Sequence, residues 1–197
     1  MHKRLFDFVV AAIALTSILP LLIICVAIIK LTGRGPAFFV QERVGLNWRR
    51  FRMLKLRTMI ADASEDGPHL TTRNDARVTT FGKFLRKRKL DELPQLINVL
   101  RGDMSIIGPR PELPRYVEMF RKDYETVLRV KPGITDYASI EFKDESELLE
   151  SPETYEKRYV EEIMPAKMKL YKEYVADQSW KVDLRILMRT LASLVKT

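Results

Sequence analysis

The sequence of 197 residues predicts a mainly α-helical fold with a short β-hairpin, joined to a membrane by its N-terminus. Residues 8–29 are apolar and contain no charged side chain. Residues 37–44 and 50–56 alternate partly between apolar and polar side chains around Gly45-Leu-Asn47, which predicts a hairpin. Much of the remaining chain has apolar residues at helical spacing. We therefore divide the chain into a membrane segment, 1–33, and one α+β head, 34–197.

The apolar segment is long enough to cross a membrane. As a continuous helix of about 1.5 Å per residue, it would extend roughly 33 Å. Pro20, at its centre, removes one helical hydrogen bond and predicts a kink or a break. Lys3 and Arg4 precede the segment, and Lys30 and Arg34 follow it. Basic residues at both ends suit a re-entrant helix-break-helix hairpin, although a kinked single span fits the same residues.

The charge and the few metal-binding side chains limit the class of partner. The net charge of +8 predicts attraction to nucleic acid, to an anionic membrane or to phosphorylated small molecules. No nucleic-acid-binding motif is recognisable, and the apolar N-terminus argues against nucleic acid as a partner. Cys25 is the single cysteine and the two histidines lie far apart, which excludes an intrachain disulfide and argues against a zinc site. A bound metal would be a hard cation with oxygen ligands.

The head divides into several predicted helices. Residues 81–87, 91–100 and about 111–130 fit helices, and Gly108-Pro-Arg-Pro111 forms a rigid turn. Apolar residues in 153–176 predict two helical pieces separated near Pro165. The helix predicted for 182–195 is amphipathic, so it fits either the membrane interface or the core.

Two adjacent carboxylates, Asp91 and Glu92, follow the basic residues 86–89 in the stretch RKRKLDELPQ. Acidic residues at a helix N-terminus commonly act as caps. Adjacent side chains on a helix nevertheless point about 100° apart, which favours separate roles for the two groups. Neighbouring cations and a helix N-terminus also favour the ionised form, which a nucleophile or a metal ligand needs. The pair is therefore a candidate catalytic site.

Four cations in short separate motifs are candidate phosphate ligands: Lys55, Arg57, Arg86 and Arg110. Transfer of a phosphoryl group spreads negative charge over several oxygens, which fixed cations and Mg²⁺ stabilise. Each cation alone also fits an ordinary surface charge. Their joint function depends on their meeting in the fold.

The order of these motifs resembles a known family. KRLFDF is followed by the apolar segment, then by QERVG, KLRTM, LDELPQLINVLRGDMSIIGPRPEL and KPGIT. This order resembles the bacterial sugar transferases that act as monotopic polyprenyl-phosphate phosphoglycosyl transferases. The resemblance extends from about Lys3 to Ala138, and the block from Leu90 to Leu113 is its most specific part.

The resemblance implies a reaction and its site. A sugar-1-phosphate would pass from a nucleotide diphosphate sugar, usually a UDP-sugar, to a polyprenyl phosphate such as undecaprenyl phosphate. Asp91 would be the nucleophile of a covalent intermediate, and Glu92 would assist through Mg²⁺ or proton handling. Lys55, Arg86 and Arg110 would bind phosphate. Such an enzyme would begin the assembly of a polysaccharide or another glycoconjugate.

The resemblance also implies a location in the bacterial inner membrane. The head would lie on the cytoplasmic face, held by a re-entrant helix that breaks at Pro20 and by interfacial amphipathic helices. The sequence departs from the family at Leu19, where serine is frequent before the proline, at Arg88 and Lys89, and at Asp136, where glycine is frequent. The alternative interpretation is a membrane-anchored basic scaffold or binding protein without catalysis.

Overall fold

The computed structural model describes residues 2–60, 75–142 and 156–195, with side chains to residue 193. The helices are α1 (His2–Thr32), α2 (Thr80–Lys87), α3 (Gln95–Arg101), α4 (Pro114–Met119), α5 (Arg121–Val127), α6 (Tyr137–Glu141), α7 (Met164–Asp177) and α8 (Trp180–Val195). The strands are β1 (Phe38–Val44), β2 (Arg50–Leu56), β3 (Ser105–Ile107) and β4 (Gly133–Thr135). The prediction of a mainly helical chain is confirmed for the described residues.

The predicted hairpin is present. β1 and β2 pair antiparallel, from Phe38 opposite Leu56 to Val44 opposite Arg50. A short 3₁₀ turn joins them, and its Asn47 has a left-handed φ of 52°, a conformation that asparagine adopts more readily than most residues. The hairpin brings the end of β2, including Lys55, towards the rest of the head.

A second pair of strands was not predicted. β3 and β4 pair in parallel, with Ser105 opposite Gly133 and Ile107 opposite Thr135. A side chain on Gly133 would lie within about 2.1 Å of the backbone nitrogen of Gly108, so glycine is required where the two segments meet. This close contact fixes the chain after β3 against the chain that leads into β4.

α1 is one helix that continues through Pro20. The predicted break into two helical segments is therefore not observed, because a proline removes one hydrogen bond and the neighbouring turns keep theirs. Upstream of Pro20, the hydroxyl of Ser17 donates to the carbonyl of Ile13 at 2.9 Å, a contact that often bends a helix. The re-entrant topology stays a prediction, as does the domain division at residue 33.

α1 lies along the head and contacts it through one face. Near its start, the Asp7 carboxylate is buried and accepts hydrogen bonds from the Ser105 hydroxyl and the Ile106 backbone N–H, both at 3.0 Å. Arg4 donates to two carbonyls at the end of α3, one of them Leu100 at 2.7 Å. The helix is long and apolar enough to cross a membrane, and only 17% of its most apolar 18-residue stretch is buried.

α1 belongs to two of the hydrophobic cores of the head. Its N-terminal half packs with β2, α3, β3 and α8 in a core that includes Ala11, Met53, Val99, Met104 and Ile186. Its C-terminal half packs with the hairpin and α2 in a core of Leu22, Cys25, Ile29, Ala37, Leu56 and Leu85. A third core, built around Tyr116, Tyr124 and Tyr171, joins α4, α5 and α7.

Three predicted helices differ in detail. The helix expected over 91–100 is a 3₁₀ turn, Leu90–Glu92, followed by α3, with Pro94 as the N-cap of α3. The helix expected over 111–130 is divided into α4 and α5 at Phe120, whose ψ of 32° is not helical. The separation expected near Pro165 is not observed, because a π-helical turn, Tyr159–Ile163, leads directly into α7 and Pro165 lies in the first turn of α7, where a missing N–H costs little.

α8 packs on the core through one face, as one of its two alternatives predicted, and the membrane-interface alternative stays a prediction. Ile186 and Val182 are buried in the core that α1 shares. Large apolar residues on α8 are half exposed at spacings of three and four, at Trp180, Leu184, Met188 and Leu191. One face of the helix thus packs on the head, and an apolar stripe remains on the surface.

Candidate active site

The 3₁₀ turn Leu90–Glu92 holds Asp91 and Glu92 where β2 and α2 meet. Lys89, immediately before it, has a left-handed φ of 55°, which is unfavourable for a residue with a side chain and reverses the chain after α2. The structure brings Lys55, Arg86 and Arg110 close to the two carboxylates. Three of the four predicted phosphate ligands therefore meet at one place.

Glu92 is the anion of a small ion-pair network. Its Oε1 accepts a hydrogen bond from Lys55 Nζ at 3.0 Å, and both its oxygens accept bonds from the Arg110 guanidinium, Oε2 at 3.1 Å. Burial acts to raise the pKa of Glu92, but the attraction of Arg110 and Lys55 outweighs it and holds this pKa well below the usual range. Glu92 is therefore ionised at neutral pH and fixes two cations.

Asp91 has a different environment. Its side chain is 8% exposed, and within the described residues its carboxylate has neither a hydrogen bond nor an ion pair. Burial and then the charge of Glu92 raise its pKa, against the attraction of Lys55, Arg86 and Arg110. The expectation from the sequence that neighbouring cations favour the ionised carboxylate thus holds for Glu92. For Asp91, burial has the larger effect on the pKa. A buried carboxylate without a partner is a stronger base than a solvated one.

Arg86 is held beside Asp91 by the loop before α2. Its Nε donates to the Thr58 hydroxyl at 2.8 Å; burial lowers the pKa of Arg86, and the attraction of Asp91 opposes this effect. A side chain on Gly82, in the first turn of α2, would lie about 2.0 Å from the Thr58 carbonyl. The close packing at this glycine sets the position of α2, and with it that of Arg86.

Arg110 stands in a backbone fixed on both sides. Pro109 and Pro111 restrict the chain around it. Its backbone N–H donates to Asp136 Oδ2 at 3.2 Å, and Asp136 is buried. The attraction of Glu92 raises the pKa of Arg110 above its ordinary value. The guanidinium is thus a permanent and well-oriented cation.

Arg57 lies away from this cluster, at the end of α1. Its guanidinium donates to the carbonyls of Arg34 at 2.6 Å, Gly33 at 3.1 Å and Ile29 at 3.3 Å. Such bonds satisfy carbonyl groups that a helix C-terminus leaves unpaired. The structure therefore gives Arg57 a contact with the apolar helix, and phosphate binding by this residue stays a prediction.

Arg43 and Glu112 support the Arg110 turn, and sequence reasoning did not single them out. Arg43 donates to the Pro111 carbonyl at 3.1 Å and to Glu112 Oε2 at 3.2 Å. Glu112 Oε1 accepts from the Tyr159 hydroxyl at 2.8 Å. Burial acts to raise the pKa of Glu112, but Arg43, other nearby cations and the Tyr159 bond hold it below the usual value. The motifs QERVG and PRPEL contain this pair, but only their contact in space shows its role.

The departures at Arg88 and Lys89 lie on the surface. Both side chains are exposed, whereas Asp136 is buried beside the candidate site. Asp136 is also the N-cap of α6, since its Oδ1 accepts the Ser139 backbone N–H at 2.6 Å. The Asp136 carboxylate bonds the backbone of Arg110, whereas Lys89 contacts the site through its backbone carbonyl, which accepts the Glu92 N–H at 3.4 Å.

The carboxylates fit one way of holding Mg²⁺. Within residues 2–60, 75–142 and 156–195 there is no group of three acidic, histidine or cysteine side chains arranged for a metal. Mg²⁺ is, however, often held by one or two carboxylates together with substrate phosphates. Asp91 and Glu92 supply two carboxylates at the site, although Lys55 and Arg110 already bond Glu92. The residues therefore fit a metal that binds together with its substrate.

Comparison with known proteins places the chain in a family. The sequence model for the family described as bacterial sugar transferase matches residues 1–197. The chain belongs to the bacterial sugar transferase family. It is 38% identical, over its whole length and 71% of the relative's, to a UDP-glucose:undecaprenyl-phosphate glucose-1-phosphate transferase of Caulobacter vibrioides.

Other relatives in this bacterial sugar transferase family differ in the sugar that they are named for. An undecaprenyl-phosphate glucose phosphotransferase of Komagataeibacter xylinus is 42% identical over 71% of the chain. A UDP-N-acetylgalactosamine-undecaprenyl-phosphate N-acetylgalactosaminephosphotransferase of Aeromonas hydrophila is 41% identical over 70% of the chain. The matched regions are 28% and 33% of these two relatives, so the chain spans about a third of their length.

Proposed function

We propose that the chain transfers a sugar-1-phosphate from a UDP-sugar to undecaprenyl phosphate through a covalent intermediate on Asp91. The names of the relatives support this donor and this acceptor. The observation that carries the mechanism is the contrast between the two carboxylates. Glu92 is bonded to two cations, whereas Asp91 is unpaired among the described residues and lies next to the same cations.

In the first step, an oxygen of the Asp91 carboxylate attacks the phosphorus that bears the sugar. The bond from this phosphorus to the bridging oxygen breaks, and UMP leaves with the electron pair. The product is an acyl phosphate between Asp91 and the sugar phosphate. The carboxylate must be ionised for this attack, and its burial makes it a better nucleophile than a solvated aspartate.

In the second step, a phosphate oxygen of undecaprenyl phosphate attacks the same phosphorus. The acyl phosphate bond breaks, the Asp91 carboxylate is regenerated, and the product is the undecaprenyl diphosphate sugar. Because UMP leaves before the lipid phosphate reacts, the two anionic substrates occupy the cationic site in turn. Neither step consumes or releases a proton overall.

The cations stabilise the charge that develops on the phosphate oxygens. Lys55 and Arg110 are held by Glu92, and Arg86 by Thr58, so none has to be reoriented during the reaction. Mg²⁺, when bound by Asp91, Glu92 and substrate phosphates, would add a further positive charge. Glu92 thus acts mainly by orienting its two cationic partners.

We also propose that α1 and α8 lie in the cytoplasmic face of the inner membrane. The aromatic rings of Phe6 and Trp180 meet edge to face at 5.2 Å, so the two helices are neighbours. Large apolar side chains are exposed on both, including Phe8, Ile13 and Ile24 on α1. Both ends of α1 contact the same head. This supports a re-entrant arrangement, in which the helix enters the membrane from one side and both of its ends stay on that side.

The test is UMP release by the purified protein in nanodiscs. A panel of UDP-sugars is supplied with and without undecaprenyl phosphate and Mg²⁺. Wild type should release UMP continuously only when the acceptor is present, and Asp91→Asn should release none. Intact mass measured without acceptor should show a sugar-phosphate adduct that Asp91→Asn lacks.

Asp177→Asn is the matched control, because Asp177 is exposed at the end of α7 and far in sequence from the site. It should retain both the turnover and the adduct. Normal turnover by a folded Asp91→Asn variant would refute the nucleophile assignment. Well-folded wild type that is silent across the panel would refute the proposed reaction with the donors tested.

A further inference from the structure

We infer that Asp136 is a positioning residue for Arg110, and that it orients this cation towards the donor phosphates. The catalytic part of this inference rests on the proposed function. Its structural part rests on the geometry of the Arg110 turn.

The two oxygens of Asp136 have different partners. Oδ1 accepts the Ser139 N–H at 2.6 Å and caps α6, whereas Oδ2 accepts the Arg110 N–H at 3.2 Å. The residue is 1% exposed, and within the described part of the chain these two backbone groups are its hydrogen-bond partners. An N-cap needs a single acceptor. The second oxygen therefore has a function that capping alone does not require.

The second bond joins the two parts of the chain that fix Arg110. The N–H of Gly108 donates to the Thr135 carbonyl at 3.1 Å, and the N–H of Gly133 donates to the Pro109 carbonyl at 3.0 Å. Arg110 follows directly, and its own N–H would otherwise have no partner among the described residues. The Asp136 carboxylate thus extends the β3–β4 contact to the residue that carries the guanidinium.

The guanidinium end of the same residue bonds Glu92. Asp136 and Glu92 consequently hold Arg110 at its two ends, one at the backbone and one at the side chain. Loss of the backbone bond would let the turn between Pro109 and Pro111 shift, and the guanidinium would then leave its bidentate geometry. A glycine at position 136 can make neither of the bonds of Asp136.

Asp136→Ser separates the two bonds. Serine is a good N-cap and can keep the bond to Ser139, but its single side-chain oxygen leaves the Arg110 N–H without a partner. Asp136→Ala removes both bonds. Thr79→Ala is the matched control, because Thr79 caps α2 through Gly82 at 2.9 Å and does not touch the Arg110 turn.

Hydrogen exchange tests the geometry without any turnover. Residues 108–111 contain only two backbone N–H groups, those of Gly108 and Arg110, since the other two residues are prolines. In Asp136→Ser, one of these two protons should exchange about ten times faster or more, in line with the loss of one charge-assisted bond. Thr79→Ala should leave both protons unchanged.

Activity tests the positioning role. In Asp136→Ser, kcat/KM for the UDP-sugar should fall by about tenfold, while the thermal midpoint should fall less than in Asp136→Ala because the cap is kept. In an Arg110→Ala background, the same substitution should cause no further loss. If Asp136→Ser fails to fold, Asp136→Asn, which matches aspartate in size and has one acceptor oxygen, replaces it in every measurement.

Unchanged exchange at residues 108–111 would overturn the inference, whatever the activity. Faster exchange with unchanged kcat/KM would overturn the positioning role. Wild type that releases no UMP from any donor would refute the proposed function instead, and the exchange experiment would still decide whether Asp136 holds the Arg110 turn.

Discussion

Asn98, in α3, joins the strand that carries Lys55 to the helix that follows Asp91. Its Oδ1 accepts the Leu54 N–H at 3.0 Å, and its Nδ2 donates to the Arg52 carbonyl at 2.8 Å. The residue is fully buried. Asn98→Ala would leave two backbone groups of β2 without these partners, at about 1 to 3 kcal/mol each.

The sum is about 2 to 6 kcal/mol of unfolding free energy. For a chain of this size, 1 kcal/mol shifts the thermal midpoint by about 2 to 4 °C, so Asn98→Ala should lower it by about 4 to 24 °C. Thermal unfolding in detergent, followed by intrinsic fluorescence, measures the change. Activity at a temperature where the variant is folded should also fall, because Lys55 loses its support.

Gln95→Leu is the control for this experiment. Gln95 also has an amide side chain, lies one turn earlier in α3 and is 1% exposed. Its Nε2, however, has no hydrogen-bond partner in the described part of the chain. Its replacement should therefore leave the midpoint within about 2 °C of wild type or raise it. A decrease of less than about 2 °C in the thermal midpoint of Asn98→Ala, or an equal decrease in both variants, would refute the reasoning.

Glu92→Gln removes the charge that fixes two cations, so it should lower kcat/KM for the UDP-sugar by about tenfold to a hundredfold. Wild-type activity in this variant would contradict the prediction. Arg57→Ala should lower the thermal midpoint with little change in kcat/KM, because its bonds are to α1; a fall in kcat/KM at unchanged stability would instead indicate phosphate binding. The folded-state pKa of Glu112 is lowered, so it contributes stability above its unfolded pKa of about 4.3 and loses it as the pH falls through the folded value. The stability difference between wild type and Glu112→Gln, measured by thermal unfolding from pH 7 to pH 3, should therefore shrink towards acid, and a constant difference would contradict this assignment.

The sequence was most informative where the pattern was local. The alternation around Gly45-Leu-Asn47 identified the hairpin, and helical spacing identified α2 and α8, because both signals come from neighbouring residues. The pairing of β3 with β4 depends on residues 28 positions apart, such as Ser105 and Gly133. Each of these strands has three residues, too few for a period to be recognised.

The site shows the same limit. The motifs contain Lys55, Arg86, Arg110 and the two carboxylates, but their convergence depends on how β2, α2 and the turn after β3 pack. Lys55 and Arg57 stand two positions apart and were treated alike. β2 ends at Leu56, however, and Arg57 turns towards α1. The pattern predicts the end of β2 correctly, but it does not show the direction of the chain after the strand.

The apolar helix α1 is part of the folded head. Ala11, Leu22, Cys25 and Ile29 are all at most 6% exposed, and they lie within two hydrophobic cores of the head. Removal of residues 1–32 would open both cores to water and would also remove the Ile29 carbonyl that Arg57 contacts. Trimming this helix would therefore not yield a folded head, because the helix that the sequence predicts to lie in lipid also completes the hydrophobic cores around the candidate site.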